Sequence, residues 1–415
     1  MSFRYQNVSR RRNMKTSKPD PSRATLAVWA GEGKDFWQNA TQLPVVHSVS
    51  FGYQDLDEWL EVALGRKPGH IYSRNTNPTV AAFEEKLRAL EGGEAAVSFS
   101  SGMAAISNTL FTLLAPGDRV VSVKDTYGGT NQIFREFLPR FEIQVDLCDT
   151  SDHEAIEASV GKGCKVLYLE TPTNPTLKVL DLARLAAAGH KAGAVVVVDN
   201  TFATPVNTNP LALGADIVVH SATKFLGGHA DALGGIITGR KDLVSRIYHF
   251  REINGAALDP MAAYLLLRGM KTLHLRIERQ NESALKIARF LSKHPSVDKV
   301  LYPGLGTHPN HDVAVRQMRG FGGVLSFAPR GGFEGVRVLL PHLRFAHAAA
   351  NLGSVETIVG PPATTSHVEV SKEQRAALGI PEGLIRYSTG IEDCNDLIAD
   401  LDQALAETAA ELALK

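Results

Sequence analysis

Lys224 lies where an apolar run gives way to a polar turn: Asp216-Ile217-Val218-Val219-His220-Ser221-Ala222-Thr223-Lys224-Phe225-Leu226-Gly227-Gly228-His229. An amine at the end of a buried strand sits where open α/β sheets bind their ligands. Partial burial lowers a lysine's pKa and frees the amine to attack carbonyls. Ser221 and Thr223 add hydroxyl donors suited to a phosphate beside that amine. A carbonyl and a phosphate on one molecule describe pyridoxal phosphate (PLP), the cofactor such a lysine would take. The plain alternative is a surface lysine after a strand, and the flanking hydroxyls and glycines weigh against it.

Four other positions carry chemistry. Asp199 follows the apolar run 194–198 and lies 25 positions before Lys224, one strand–helix step away. A carboxylate there would pair with the pyridinium nitrogen of PLP and keep the ring an electron acceptor; the alternative is a helix N-cap. Ser100-Ser101-Gly102-Met103 joins an apolar run to a helical one. Backbone N–H groups at that helix start would bind an anion, and Gly102 lets it approach. Tyr127, in Thr126-Tyr127-Gly128-Gly129-Thr130, is placed to stack on an aromatic cofactor or to be an ordinary loop tyrosine. Arg386, inside the apolar Leu384-Ile385-Arg386-Tyr387-Ser388, needs a carboxylate partner. Its fork suits the α-carboxylate of an amino acid, and a structural ion pair is the other option.

The elements that must hold these residues are legible as alternating patterns. Strands are predicted at 95–99, 119–123, 165–169, 194–198 and 217–220, and helices at 78–91, 103–114, 130–138 and 180–192. Continuous Val/Ile/Leu strands suit a parallel sheet covered by helices, hence an α/β class with a mostly parallel sheet. After Met261 the texture changes. A long helix with one charged face, including Arg276, Glu278, Arg279 and Glu282, is predicted over 262–295. Strands at 297–302 and 322–327 and helices at 333–340 and 395–414 complete a smaller α+β unit. The division predicted is an N-terminal arm over 1–72, a cofactor-binding α/β domain over 73–275 and a C-terminal α+β domain over 276–415.

Composition narrows the class. With 415 residues and zero formal net charge, nucleic acid is not implied as a partner. No apolar run approaches the ~20 residues of a membrane-spanning helix, so no membrane role is expected. Cys148, Cys164 and Cys394 have neither metal-ligand nor redox spacing, so no metal is expected and a reducing, cytoplasmic location fits. The first ~20 residues are basic and acid-poor, which reads as a disordered arm or a transit-type leader.

Together these motifs resemble the PLP-dependent cystathionine γ-synthase/γ-lyase family of Cys/Met metabolism enzymes. The likeness runs from Thr25-Leu26-Ala27-Val28-Trp29-Ala30-Gly31 to beyond Arg386. It rests on Tyr72-Ser73-Arg74-Asn75-Thr76-Asn77-Pro78-Thr79, Ser101-Gly102-Met103, Glu170-Thr171-Pro172-Thr173-Asn174-Pro175, Val198-Asp199-Asn200-Thr201 and the Lys224 segment. The resemblance implies a fold-type-I PLP enzyme assembled as a homotetramer of two catalytic dimers. It implies that Lys224 forms the Schiff base, Asp199 meets the pyridinium and Tyr127 stacks on the ring. Ser101, Gly102, Met103, Thr201, Ser221 and Thr223 would complete the cofactor site. Tyr72 and Arg74 would reach the phosphate in a neighbouring subunit. Asn174, Asn351 and Arg386 would hold the substrate.

The activity implied is γ-elimination or γ-replacement on an L-amino acid with a leaving group at Cγ. Lys224 would carry protons between Cα and Cβ, and Tyr127 would protonate the leaving group. Departures from the family pattern bear on the substrate. Gly129 stands where methionine γ-lyases carry cysteine, and Gln132 where cystathionine γ-lyases carry an arginine for the distal carboxylate. Ala350-Asn351 replace a common Glu-Ser or Val-Ser, Ala230 replaces serine, and the segment 58–70 is unlike common members. These point away from methionine and cystathionine and toward O-acyl-homoserines or guanidinooxy compounds such as canavanine. Cystathionine or methionine chemistry proper, another PLP reaction such as transamination or β-elimination, and a non-catalytic PLP-fold protein are the competing readings.

Overall fold

The computed structural model describes residues 21–33, 39–368 and 370–414. The basic stretch over 1–20, read as an arm or leader, lies outside the described residues.

Seven strands form the larger sheet: β1 (Ala95–Phe99), β2 (Arg119–Val123), β3 (Gln144–Cys148), β4 (Val166–Glu170), β5 (Val195–Asp199), β6 (Ile217–Ser221) and β7 (Gly235–Gly239). Their order is β1-β7-β6-β5-β4-β2-β3. The pairs from β3 through β2, β4 and β5 to β6 are parallel; β7 runs antiparallel to β6 and β1. The sheet is therefore mostly parallel. Its central strands are buried on both faces, which is why they read as unbroken Val/Ile/Leu runs. One face packs on Ile106 and Leu110 of helix Gly102–Leu113, the other on Leu182, Leu185 and Ala186 of helix Leu182–Lys191. Each buried Val or Leu contributes about 1.5–3 kcal/mol.

Helix Pro78–Glu91 has the predicted bounds because both ends are written locally. The Asn77 side chain accepts from the N–H groups of Thr79 and Val80, Pro78 opens the helix, and Gly92 ends it with φ +79°. β3 and β7 escape the sequence reading for different reasons. Gln144-Val145-Asp146-Leu147-Cys148 is a short edge strand with no fully buried residue and two polar side chains, and Gly235-Ile236-Ile237-Thr238-Gly239 is bracketed by glycines.

A second sheet holds β8 (Val297–Leu301), β9 (Val324–Pro329), β10 (His347–Ala348), β11 (Ile358–Gly360) and β12 (Ile385–Ser388), in the order β10-β11-β12-β9-β8. Helices Gly332–His342 and Cys394–Ala413 pack on it around Leu325, Phe327, Leu339, Leu397 and Leu401.

Two predicted helices are corrected. The long helix over 262–295 is two, Pro260–Met270 and Leu273–Leu291, broken at Lys271-Thr272. Arg276, read as part of the charged face, is buried. It donates to the carbonyls of Phe225 (2.8 Å), Gly269 (2.9 Å) and Leu226 (3.3 Å), and burial lowers its pKa to about 10. It thereby fastens the turn that follows Lys224. Gly228 makes room, since a Cβ there would lie 2.1 Å from Arg276 Nη1. The helix over 130–138 divides into Gly128–Gln132, a π-helical turn Ile133–Phe137 and Leu138–Arg140. Pro139 has no N–H to continue the α-helical ladder.

Candidate active site

The carboxyl ends of β1, β2, β4, β5 and β6 converge on one cavity of about 260 Å³. Ser101, Gly102 and Met103 reach it after β1, and Tyr127 after β2. Glu170 and Asn174 come from β4, Asp199 and Thr201 from β5, and Ser221, Thr223 and Lys224 from β6. The second sheet closes the cavity with Arg386 from β12 and with the 350–352 loop.

Lys224 Nζ donates to Asn351 Oδ1 at 2.8 Å. Burial, and after it the positive charge of Arg386, lowers its pKa to about 8. Arg386 donates from Nη1 to Asn174 Oδ1 (3.2 Å) and from Nη2 to the Asn351 carbonyl (2.8 Å). Neither partner is a carboxylate, and burial lowers its pKa to about 10. The structural ion pair considered from sequence is thus not what holds Arg386 among the described residues. Asn351 serves both groups, its amide oxygen holding the lysine and its carbonyl the arginine.

Asp199 does not cap a helix: the next one, Thr204–Asn207, is preceded by Ala203. Its Oδ1 accepts from the Thr201 N–H (2.9 Å) and its Oδ2 from the Tyr168 hydroxyl (3.3 Å). Burial pushes its pKa up despite those bonds. Thr201 Oγ1 in turn accepts from the Ser221 N–H at 2.9 Å, tying β5 to β6.

Gly102 opens its helix against Ser221, where an added Cβ would lie 2.7 Å from Ser221 Cβ. Ser101 Oγ caps that helix by accepting from the Ala104 N–H at 3.1 Å. Thr223 Oγ1 donates to the Gly234 carbonyl (3.2 Å) and accepts from the Gly234 N–H (3.0 Å). Tyr127 is 42% exposed and lines the cavity.

Tyr72 and Arg74 are not brought to this cavity. The Arg74 guanidinium donates to the Glu252 carbonyl and lies 5.6 Å from the Tyr72 ring centroid, beside helix Lys241–Asn254. The sequence assigns Glu170 no role. Yet Val166-Leu167-Tyr168-Leu169-Glu170 carries the same signal as Val195-Val196-Val197-Val198-Asp199: an apolar run ending in a carboxylate. In the sheet the two acids are register partners.

Residues 24–406 match the family model described as Cys/Met metabolism PLP-dependent enzyme. The chain belongs to that family. It is 43% identical over 384 residues to an L-methionine gamma-lyase of Fusobacterium nucleatum subsp. polymorphum, covering 92% of this chain and 97% of that protein. It is 43% identical over 382 residues to a cystathionine gamma-lyase of Bacillus subtilis (strain 168), covering 92% of this chain and 98% of that protein. A crystal structure of cystathionine gamma synthase from Xanthomonas oryzae pv. oryzae, in complex with aminoacrylate and cysteine, superposes with a TM-score of 0.89 at 37% identity. That match covers 94% of this chain and all of the other.

The residues present fit PLP, the family's cofactor. The start of helix Gly102–Leu113, with Ser221 against it, offers donors for a phosphate. Among the described residues Asp199 is buried with only neutral hydrogen-bond partners, and a pyridinium is a cation that would balance it. Lys224 has a pKa low enough to attack an aldehyde near neutral pH. Only the neutral amine attacks, so the rate of PLP capture by apoprotein should rise roughly tenfold from pH 7 to 9 and level off above the midpoint near 8. Stopped-flow absorbance checks this. A lysine at the unshifted value of 10.5 would instead gain roughly 100-fold over that range and keep climbing.

Proposed function

We propose that this PLP-dependent enzyme catalyses γ-elimination or γ-replacement on an L-amino acid whose Cγ bears an oxygen- or sulfur-linked leaving group. The observation that carries the reading is the Lys224–Asn351–Arg386–Asn174 chain of contacts in a cavity that also holds Asp199. Bound PLP supplies the electron sink that makes protons on substrate carbon removable. The chain's residues decide which protons move. Arg386, with Asn174, is placed to take the α-carboxylate, which fixes the substrate's orientation. Asn351 Oδ1 accepts a hydrogen bond from Lys224 Nζ, which leaves the neutral amine's lone pair free to work. A lysine of lowered pKa on a flexible stem can remove a proton at Cα and move one at Cβ, which γ-chemistry requires. Tyr127 would donate its phenolic proton to the departing group.

The leaving group would lie beyond Tyr127. There Tyr127, Gly129, Gln132, Ser366 and His367 line a further space of about 700 Å³ that shares Tyr127, Thr365 and Ser366 with the cavity. Any side chain at 129 would press on Met103 Sδ and the Tyr127 ring, at 3.0 and 3.1 Å from its Cβ. Glycine at 129 spares that contact, and Gln132 lines the space. We therefore favour γ-substituents without a distal carboxylate: O-acyl-homoserines and guanidinooxy compounds such as canavanine. Methionine or cystathionine as substrate is the second reading, favoured by the names of the two relatives.

We further propose the three-part division at 72 and 275, a homotetramer of catalytic dimers, and a cytoplasmic location. No helix among the described residues is long and apolar enough to cross a membrane. The exposed Tyr72 and the apolar face of helix Leu56–Ala63, with Leu56, Trp59 and Leu60, support an arm that a second copy covers. In that assembly Tyr72 and Arg74 would complete a neighbour's phosphate site. A panel of γ-substituted amino acids, with and without thiols and with mass detection, tests the activity. A 2-oxo acid marks elimination, homoserine hydration and a thioether replacement. Turnover of methionine or cystathionine above all others would favour the second reading, and no turnover with any γ-substrate would end both.

A further inference from the structure

Glu170 is a buried carboxyl with no part in the proposed proton transfers or substrate contacts. It ends β4, lines the cavity and stands in register with Asp199 on β5. Its two oxygens face two different loops. Oε2 accepts the backbone N–H of Tyr127 at 2.8 Å, and Oε1 accepts the backbone N–H of Asn174 at 3.3 Å. Tyr127 stands at the start of helix Gly128–Gln132, and its N–H reaches a carboxyl 43 positions away in the sequence. Asn174 passes the connection on, because its Oδ1 receives Arg386 Nη1.

We infer that Glu170 is a positioning residue that ties the aromatic wall of the cofactor site to the carboxylate-binding side of the substrate site. Two N–H groups converging from separate loops need one acceptor with two oxygens at the right reach. Glutamate supplies this from a strand end held in register with β5. Burial, with Asp199 beside it, holds the Glu170 carboxyl well above the usual carboxylate range. A protonated carboxyl still accepts at both oxygens, so the tie does not depend on its charge. Loss of either bond would leave a backbone N–H at the cavity wall without its partner and free that loop to shift.

The inference rests on the reading that the cavity takes PLP and an amino acid, and two variants separate its failure from that one's. Glu170→Gln keeps size but turns an NH₂ toward one of the two N–H groups. Glu170→Asp keeps the acid but falls short of both. In each, the apoprotein's Kd for PLP and the KM for the γ-substrate found in the panel should rise about 10-fold or more. The apoprotein's unfolding midpoint should stay within a few degrees. A residue that served stability alone would lower the midpoint and leave Kd and KM unmoved in the protein that stays folded. Wild-type Kd and KM in Glu170→Gln, or in Glu170→Asp, overturns the inference while leaving the functional reading intact. Absence of PLP binding by the unaltered chain removes the functional reading and this inference with it.

Discussion

Lys224→Ala should lose at least about 10⁴-fold in turnover on any γ-substrate, because one amine serves at both Cα and Cβ and general acid–base catalysis is typically worth 10²–10⁴-fold at each such centre. The fold should survive. Among the described residues Nζ makes a single hydrogen bond, to Asn351 Oδ1, and burial penalises its charge rather than rewarding it. Removing a partly buried amine therefore costs little structure, and the apoprotein should keep or slightly raise its unfolding midpoint. The visible absorbance of the lysine-linked cofactor should vanish with the amine. Residual turnover within tenfold of the unaltered enzyme would mean that another group moves the protons.

Arg386→Ala should reduce kcat/KM by roughly 10²–10³-fold. A guanidinium–carboxylate pair makes two charge-assisted hydrogen bonds, together about 3–4 kcal/mol, and each 1.4 kcal/mol is tenfold. The stability effect should have the opposite sign. Arg386 is buried beside Lys224 with, among the described residues, only an amide oxygen and a carbonyl as partners, and desolvation lowers its pKa to about 10. A buried cation without a counter-charge is a cost to the apo fold, so thermal unfolding of the variant apoprotein should be unchanged or higher. Activity falling while stability holds identifies a ligand-binding arginine. A variant that unfolds early would instead place Arg386 in a structural pair.

Much of this site is written locally in the sequence. Lys224, Asp199 and Ser101-Gly102 each follow an apolar run at a strand end, and a parallel sheet gathers such ends at one edge. What stayed hidden depends on contacts between distant parts of the chain. Asn351 meets Lys224 across 127 positions, and the Tyr127 N–H meets Glu170 across 43. No periodicity marks such meetings. Arg276 was misread for the same reason. Its neighbours Glu278, Arg279 and Glu282 made a charged face, but its own buried partners are the carbonyls around Phe225. Tyr72 and Arg74 illustrate the reverse case: their motif is plain in sequence, yet within one chain they lie beside helix Lys241–Asn254, away from the cavity.

The central claim is that Lys224 works at two carbons of the substrate. Hydrogen exchange reports this without knowledge of the leaving group. The PLP-loaded enzyme, incubated in D₂O with a straight-chain L-amino acid that has no γ leaving group, should exchange its Cα proton and then its Cβ protons, followed by NMR. Both exchanges should disappear in Lys224→Ala. Exchange at Cα alone, with the Cβ protons retained, would contradict γ-chemistry and place the enzyme with reactions that stop at the first carbon.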